Sequence, residues 1–574
     1  MSKDLKRLIE VARGVHPPAL VLKNGRVVNT FSCEVESSDV AIHDGVIAGV
    51  GHYDGPNAID IAGDYLVPGF IDGHVHIEST MLSPAEFSRA VLPMGTTAVV
   101  ADPHEIANVL GSKGIDYMLH AGTGLPVDIF LLIPSCVPAT DMETSGARLD
   151  AHDIAGFRGK PGVLGLAEVM NVPGVIDGGD ESLSKIAVFK NAVIDGHAPL
   201  LTGKDLNAYI LAGPESDHEC SSIDEAREKL RRGMHVMIRE GSLAKNLKSL
   251  LPLVSPCSAR RCMFVTDDVH PDDLMDKGHI NHILNVAISE GLDPLLAIQM
   301  VTLNPARYFG LKRSGAIAPG YDADILRVSA LKPITIRSVF KKGQQIYAEG
   351  RMKYEFPGRT FSDDLSSMRI KPYAIDSFRI RAESDGSIQV IGLVKNQLVT
   401  EVLRTRPHIE NGLAVADPEH DILKIAVVER HKGTGNIGLG FIRGFGLRTG
   451  AIASSVAHDS HNIIAVGTND RDIFHAVRRI EEMRGGAVVV SGERILATLP
   501  LPIAGLMSDK PLHEVACAWR RVEQAARSLG SGLDHPFMAL SFMALPVIPR
   551  LKITDKGLVD VDRFQPVDLW VSSG

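Results

Sequence analysis

Cysteine is scarce, with six in 574 residues (Cys33, Cys136, Cys220, Cys257, Cys262 and Cys517) and no C-x-x-C pair among them. So thin a scatter excludes a disulfide framework, and the thiols are expected to be reduced. No segment carries the roughly eighteen uninterrupted apolar residues of a membrane span, and the charged start Met1–Arg13 lacks the apolar core of a signal peptide. A cytoplasmic protein with no membrane partner is expected. Runs of Lys or Arg are missing too; with a formal net charge of -9 and a pI near 6.2 there is no basic footprint for nucleic acid, and a small molecule is the expected partner. No internal repeat is found. What is present is 45% hydrophobic residues at a mean hydropathy of +0.07, enough for several buried cores and about three to four domains.

Residues 18–67 alternate short β-rich runs with turns, and Asn24-Gly25 and Asp44-Gly45 between such runs read as hairpin turns. From residue 68 apolar strands alternate with helical stretches, the pattern of parallel β/α units covered on both faces. Eight strands are expected: Val67–Ile71, Thr97–Ala101, Val127–Ile133, Val163–Ala167, Ala192–Asp195, Ala208–Ala212, His235–Arg239 and Cys262–Thr266. The expected architecture is therefore α/β, with a (β/α)8 barrel over 68–318, close to the about 250 residues usual for that fold. A small β-sandwich domain would be built from both flanks, 1–67 (opening with a helix) and 319–355. A polar connector at 356–373 would lead to an α+β C-terminal domain, 374–574, itself of domain size.

Chemistry concentrates where these strands end. Pro68–Glu78 is an apolar run that stops in His74-Val75-His76, and in an extended strand residues i and i+2 face the same side, so both imidazoles can address one ion. Two neutral imidazoles suit zinc, iron or manganese. The fourth strand ends in Gly165-Leu-Ala-Glu168, a carboxylate after small and apolar residues that is costly to bury unless paired or metal-bound. The fifth ends in Asp195-Gly196-His197, the sixth in Asp217-His218-Glu219, the eighth in Asp267-Asp268-Val-His270. Functional groups of such barrels gather at the C-terminal ends of the strands, so His74, His76, Glu168, His197, His218 and Asp267 form one candidate set. Asp195 and Asp217 precede their histidines in polar turns and read as groups that orient them, or as solvated acids.

This constellation resembles the amidohydrolase superfamily of metal-dependent hydrolases, and Pro319–Leu326 looks like that family's return to the sheet domain. Within it, Glu168 in place of a lysine, together with Ala101–Gly111, Thr266–Leu274 and Ser454–Asn462, is similar to the bacterial adenine deaminases over nearly the whole chain. The resemblance implies two divalent ions per subunit, Mn2+ or Fe2+ first and Zn2+ as the alternative, in a homo-oligomer of two or more subunits. His74, His76 and Asp267 would hold the more buried ion, His197 and His218 the other, and Glu168 would bridge them.

The implied reaction is hydroxide attack at C6 of adenine, giving hypoxanthine and ammonia. Asp267 would accept the hydroxide proton and pass one to the leaving ammonia. Asp102 and Glu105, crowded with His104 in the loop after the second strand, are candidates for protonating N1, although acids there also suit a helix start. His104, Arg239 and Glu240 are candidate purine contacts; Arg239-Glu240 also reads as a solvated pair, and Asp268 is an alternative ligand to Asp267. Gly433-x-Gly435-x-x-Gly438 is followed by β-like sequence, against a dinucleotide site. His458-Asp-Ser-His461-Asn462 reads as a polar loop that could cap the site or bind a further ion. Other readings are a related hydrolase of another aminopurine, a hydrolase of a cyclic amide, against which Glu168 counts, and a non-enzymatic metal-binding scaffold. The zinc cytidine-deaminase pattern is excluded, since no P-C-x-x-C follows His76-Ile-Glu78.

Overall fold

The computed structural model describes residues 2–242, 244–356, 365–383, 386–394 and 397–571, so positions 357–364 of the expected connector lie outside the described residues. Eight parallel strands form the centre. We label them β1 (Phe70–Val75), β2 (Thr96–Ala101), β3 (Asp128–Ile133), β4 (Val163–Val169), β5 (Val193–Gly196), β6 (Ser216–Asp217), β7 (His235–Arg239) and β8 (Cys262–Val265). They are hydrogen-bonded as a run of five, β5-β4-β3-β2-β1, and a run of three, β6-β7-β8. The runs meet at one side through a parallel bridge between Val75 and Asp267, with Asp267 N–H donating to the His74 carbonyl at 3.0 Å. At the other side Gly196 packs against Ser216 so closely that a Cβ on it would lie 2.2 Å from the Ser216 carbonyl oxygen. Helices follow the strands, and every residue of β2 and β8 is buried, as expected of strands covered on both faces.

Two expected strands change. Ala208–Ala212 is the last part of a helix, Gly203–Ala212, whose buried Leu206 and Tyr209 have helical spacing; the sixth strand is the two-residue Ser216–Asp217. The expected Val67–Ile71 divides at Gly69. Tyr65–Pro68 pairs antiparallel with Ile325–Leu331 in the flanking sheet, and β1 runs on to Val75, which puts His74 inside the strand and His76 one residue beyond it.

The flanking sheet takes strands from both sides of the centre, and its nine strands are hydrogen-bonded in one connected sheet. Asn24-Gly25 is not a hairpin turn: both residues lie in one strand, Leu20–Asn29, at a register shift, with Asn24 at φ 56°. Asp44-Gly45 does turn the chain between Glu34–His43 and Val46–Gly51.

The C-terminal region has its own mixed sheet of nine strands, with the amphipathic helix Asp470–Glu482 on one face. Helix Leu512–Ser528 reaches the central unit, where its Arg520 pairs with Asp276 of helix Pro271–Asp276, and Ser508 exchanges backbone hydrogen bonds with Met81 and Ser83. This region therefore packs over the strand ends at which the functional groups gather. No helix among the described residues is long and apolar enough to cross a membrane.

Candidate metal centre

Within and just beyond the C-terminal ends of the parallel strands, imidazoles and carboxylates, buried except for the partly exposed His197 and Glu219, converge in overlapping groups: His74, His76 and Asp267; His74, Glu168 and His218; His76, Asp102, His104 and Glu168; and His197, His218 and Glu219. Glu168, at the end of β4, stands in the middle. Its Oε2 is 2.7 Å from His197 Nδ1 and 3.3 Å from His218 Nε2, and its Oε1 is 3.4 Å from His76 Nε2. Burial opposes ionisation of Glu168, yet His197 and His218 hold its carboxyl well below the usual range. Asp267 directs Oδ1 at His76 Nε2 (3.2 Å) and His74 Nε2 (3.7 Å), with its backbone in the left-handed region at φ 60°. That conformation is uncommon outside glycine and is tolerated by Asp; it aims the carboxylate back across β1.

The tautomers suit a cation. His76 Nδ1 donates to the Asp102 carbonyl at 3.0 Å, which leaves the Nε2 lone pair facing Glu168 and Asp267. His74 Nδ1 faces Asp195 at 3.6 Å, while its buried Nε2 has no hydrogen-bond partner. Metal-ligating histidines characteristically give their second ring N–H to such an acceptor. Asp195, which faces His74 and not the His197 it precedes, is itself held by the hydroxyls of Ser216 and Tyr308, and Asp217 accepts the buried Lys229 ammonium at 3.0 Å.

The remaining candidates fall around this core. Asp267 rather than Asp268 joins the histidines; Asp268 accepts from Ser79 Oγ at 2.5 Å. His104 Nδ1 lies 3.2 Å from Asp102 and 3.6 Å from Glu168, among the possible ligands. Arg239 is engaged rather than free: Nη1 donates to Asp267 Oδ2 at 2.8 Å and Nη2 to Glu219 Oε2 at 2.9 Å. Glu240 accepts the Leu247 N–H at 3.3 Å and faces that loop. Glu105 is buried against His458 and His461.

Glu219 and Glu78 were not singled out by sequence. Glu219 follows His218 directly and joins its group; the polar string Asp217-His218-Glu219 was the available signal. Glu78 is buried, accepts the Ile106 N–H at 3.2 Å with Oε1, leaves Oε2 unpartnered, and is pushed up to about 7 by burial and by Glu105. It lines a cavity of about 30 Å3 with Ser79, Asp268, His270, His458 and Trp519, between the central unit and the C-terminal region. The Gly433–Gly438 segment wraps a side chain of its own, with Thr434 N–H and Oγ1 donating to Glu429 at 2.8 and 2.9 Å, which leaves no phosphate cradle there.

With this geometry in place, two family models match the chain: the amidohydrolase family over residues 65–346 and the adenine deaminase C-terminal domain over 397–565. The chain is 50% identical over 568 residues to adenine deaminase 2 of Carboxydothermus hydrogenoformans, covering 98% of this chain and 99% of that one. It is 50% identical over 566 residues to an adenine deaminase of Dehalococcoides mccartyi, with 98% and 99% covered. A third relative, an adenine deaminase of Oleidesulfovibrio alaskensis, is 47% identical over 574 residues and covers 100% of both chains.

Proposed function

The chain belongs to the amidohydrolase family, in its adenine deaminase branch, and from that premise we infer that it hydrolyses adenine to hypoxanthine and ammonia at the buried centre. The observation that carries this reading is the convergence of Glu168 with four histidines and Asp267, in tautomers that leave His74 Nε2 and His76 Nε2 free. We assign His74, His76 and Asp267 to one divalent ion, His197 and His218 to a second, and Glu168 to both, with Mn2+ or Fe2+ favoured over Zn2+. When bound, such ions would lower the pKa of a coordinated water towards about 7 and so would supply hydroxide at neutral pH.

The chain's own residues then manage protons. Hydroxide adds to C6 and the C6–N6 bond breaks; of the two water protons, one ends on N1 and the other leaves with ammonia. Asp267, beside His74 and His76, accepts the hydroxide proton and delivers it to the departing nitrogen. Asp102 and Glu105 serve N1, with His104 lying between Asp102 and Glu105 at 3.2 and 3.6 Å. Arg239 fixes Asp267 through its 2.8 Å hydrogen bond and so acts on the reaction through that acid.

The strand order and the Val75–Asp267 bridge support reading the eight parallel strands as a closed (β/α)8 barrel over 68–318, flanked by the small sheet domain (1–67 and 319–355) and followed by the domain 374–574. The test is an assay of metal-reconstituted enzyme with adenine, following loss of purine absorbance and release of ammonia. Turnover of another aminopurine or a cyclic amide with adenine untouched would overturn the substrate assignment.

A further inference from the structure

Glu105 opens the helix His104–Leu110 on the central unit, and its carboxylate is gripped from the C-terminal region. His458 Nδ1 lies 2.8 Å from Oε1 and His461 Nε2 lies 2.6 Å from Oε2, with all three side chains buried. The loop that carries the two histidines is itself anchored. Arg430 Nε donates to the His461 carbonyl, Arg430 Nη2 to the Ala504 carbonyl at 3.0 Å, His431 Nε2 to the Ser460 carbonyl at 2.6 Å, and Asn462 Nδ2 to the Thr144 carbonyl at 2.9 Å. His458 stacks on Phe542 at 4.6 Å between ring centroids.

A His-His-Glu trio of this size matches a cation site. The tautomer of His461 argues otherwise. Its Nδ1 accepts the Ala457 N–H at 3.2 Å, so Nδ1 carries the lone pair and Nε2 carries the proton. A protonated Nε2 has no lone pair to offer a metal, and it stands 2.6 Å from Glu105 Oε2. This is the reverse of His76, whose Nδ1 gives its proton to a carbonyl and keeps Nε2 free. The trio is thus a polar clamp, in which His458 Nδ1 and His461 Nε2 are set against the two oxygens of Glu105.

We propose that His461 and His458 are positioning residues, which hold the Glu105 carboxylate in the one orientation where it faces both His104 and the cavity wall and can serve proton transfer to the base. Three distances define that orientation: Oε1 to His104 Nε2 at 3.6 Å, Oε1 to His458 Nδ1 at 2.8 Å, and Oε2 to His461 Nε2 at 2.6 Å. His104 in turn is 3.6 Å from Glu168, so the clamp ties the C-terminal loop to the carboxylate at the middle of the metal centre. The inference rests on the adenine-deaminase reading above, and it makes the C-terminal region part of the catalytic apparatus.

The test uses full-length, metal-reconstituted enzyme and three variants. His461→Leu, which removes the Nε2 donor, is expected to lower kcat on adenine by about 100-fold, the scale of a positioned acid or base, with KM and metal content little changed. His461→Gln places an amide N–H near the former Nε2 and is expected to recover at least about tenfold of that loss. His458→Asn keeps a donor near the former Nδ1 and is expected to retain most of the wild-type kcat. Glu105 faces His104, His458 and His461, the Glu78 carboxylate and, across the cavity, Asp268. Wild-type kcat in His461→Leu, equal losses in His461→Leu and His461→Gln, or a loss in His458→Asn as large as that in His461→Leu would each overturn the proposal. A wild-type enzyme inert on adenine would instead overturn the functional reading on which it rests.

Discussion

Arg239 and Asp267 form a 2.8 Å ion pair in which Nη1 meets Oδ2, leaving Oδ1 of the same carboxylate to face His74 and His76. Burial opposes ionisation of Asp267, yet the His76 contact and the Arg239 charge hold it well below the usual carboxylate range. Arg239→Met strands this buried acid. Its pKa must rise, and kcat/KM on adenine is expected to fall about 100-fold, equivalent to about 2.7 kcal/mol, with the acid limb of the profile shifted upward. Arg239→Lys should recover only part of the loss, because a point ammonium cannot contact Asp267 and Glu219 together in the guanidinium's fork geometry. Steady-state kinetics across pH decides it, and an unshifted profile in Arg239→Met would remove Arg239 from the mechanism.

Glu168 touches both halves of the candidate centre, His76 on one side and His197 and His218 on the other. Glu168→Gln keeps the shape and removes the charge, so most bound metal should be lost together with activity. Metal content by elemental analysis after reconstitution is the measurement. Full occupancy in the variant would end its bridging role.

The legible part of this candidate centre was the part in which an apolar run meets an imidazole or a carboxylate. His74, His76, Glu168, His197, His218 and Asp267 all stand within or beside strand ends, where a polar residue after buried ones is conspicuous. The sixth strand was misplaced because Ser216–Asp217 is too short to carry a periodic signal, while the nearby apolar Ala208–Ala212 run belongs to a helix face. Asn24-Gly25 misled for a related reason: positive φ at Asn24 serves a bulge as well as it serves a turn. The grip of His458 and His461 on Glu105 depends on how the C-terminal region docks, and local pattern carries no information about docking. Sequence could mark that loop as polar and unusual, but could not say what it faces.

Lys229, fully buried on helix Ile223–Arg231, donates to Asp217 at 3.0 Å, Glu225 at 2.8 Å and the Ala198 carbonyl at 2.6 Å. Asp217 in turn accepts the Ala198 N–H at 2.7 Å, which sets the loop between His197 and His218. Lys229→Met leaves two buried carboxylates without their cation and is expected to cost about 3–5 kcal/mol of stability. Denaturant unfolding of the metal-free protein measures this apart from any effect on metal binding. A loss below about 1 kcal/mol would mean that the network is dispensable.

Glu523 offers a test of stability that is independent of the catalytic face. It lies on helix Leu512–Ser528, its Oε1 has no hydrogen-bond partner, and the half-exposed Arg527 approaches only to 3.4 Å. Burial, with Asp272 adding to it, pushes its carboxyl up to about 8 from an ordinary 4.5. Between those two values the folded protein keeps a proton that the unfolded chain has released, so stability falls as pH rises through that window. The slope is at most on the order of 1.4 kcal/mol per pH unit from this group. Glu523→Gln is neutral at every pH and fits the same space. Its melting temperature should nearly match wild type at pH 5, exceed it by a few degrees at pH 8, and show no further gain above that. Equal melting curves at pH 8 would mean that the folded protein already accommodates the charged carboxylate, with Arg527 the residue placed to compensate it.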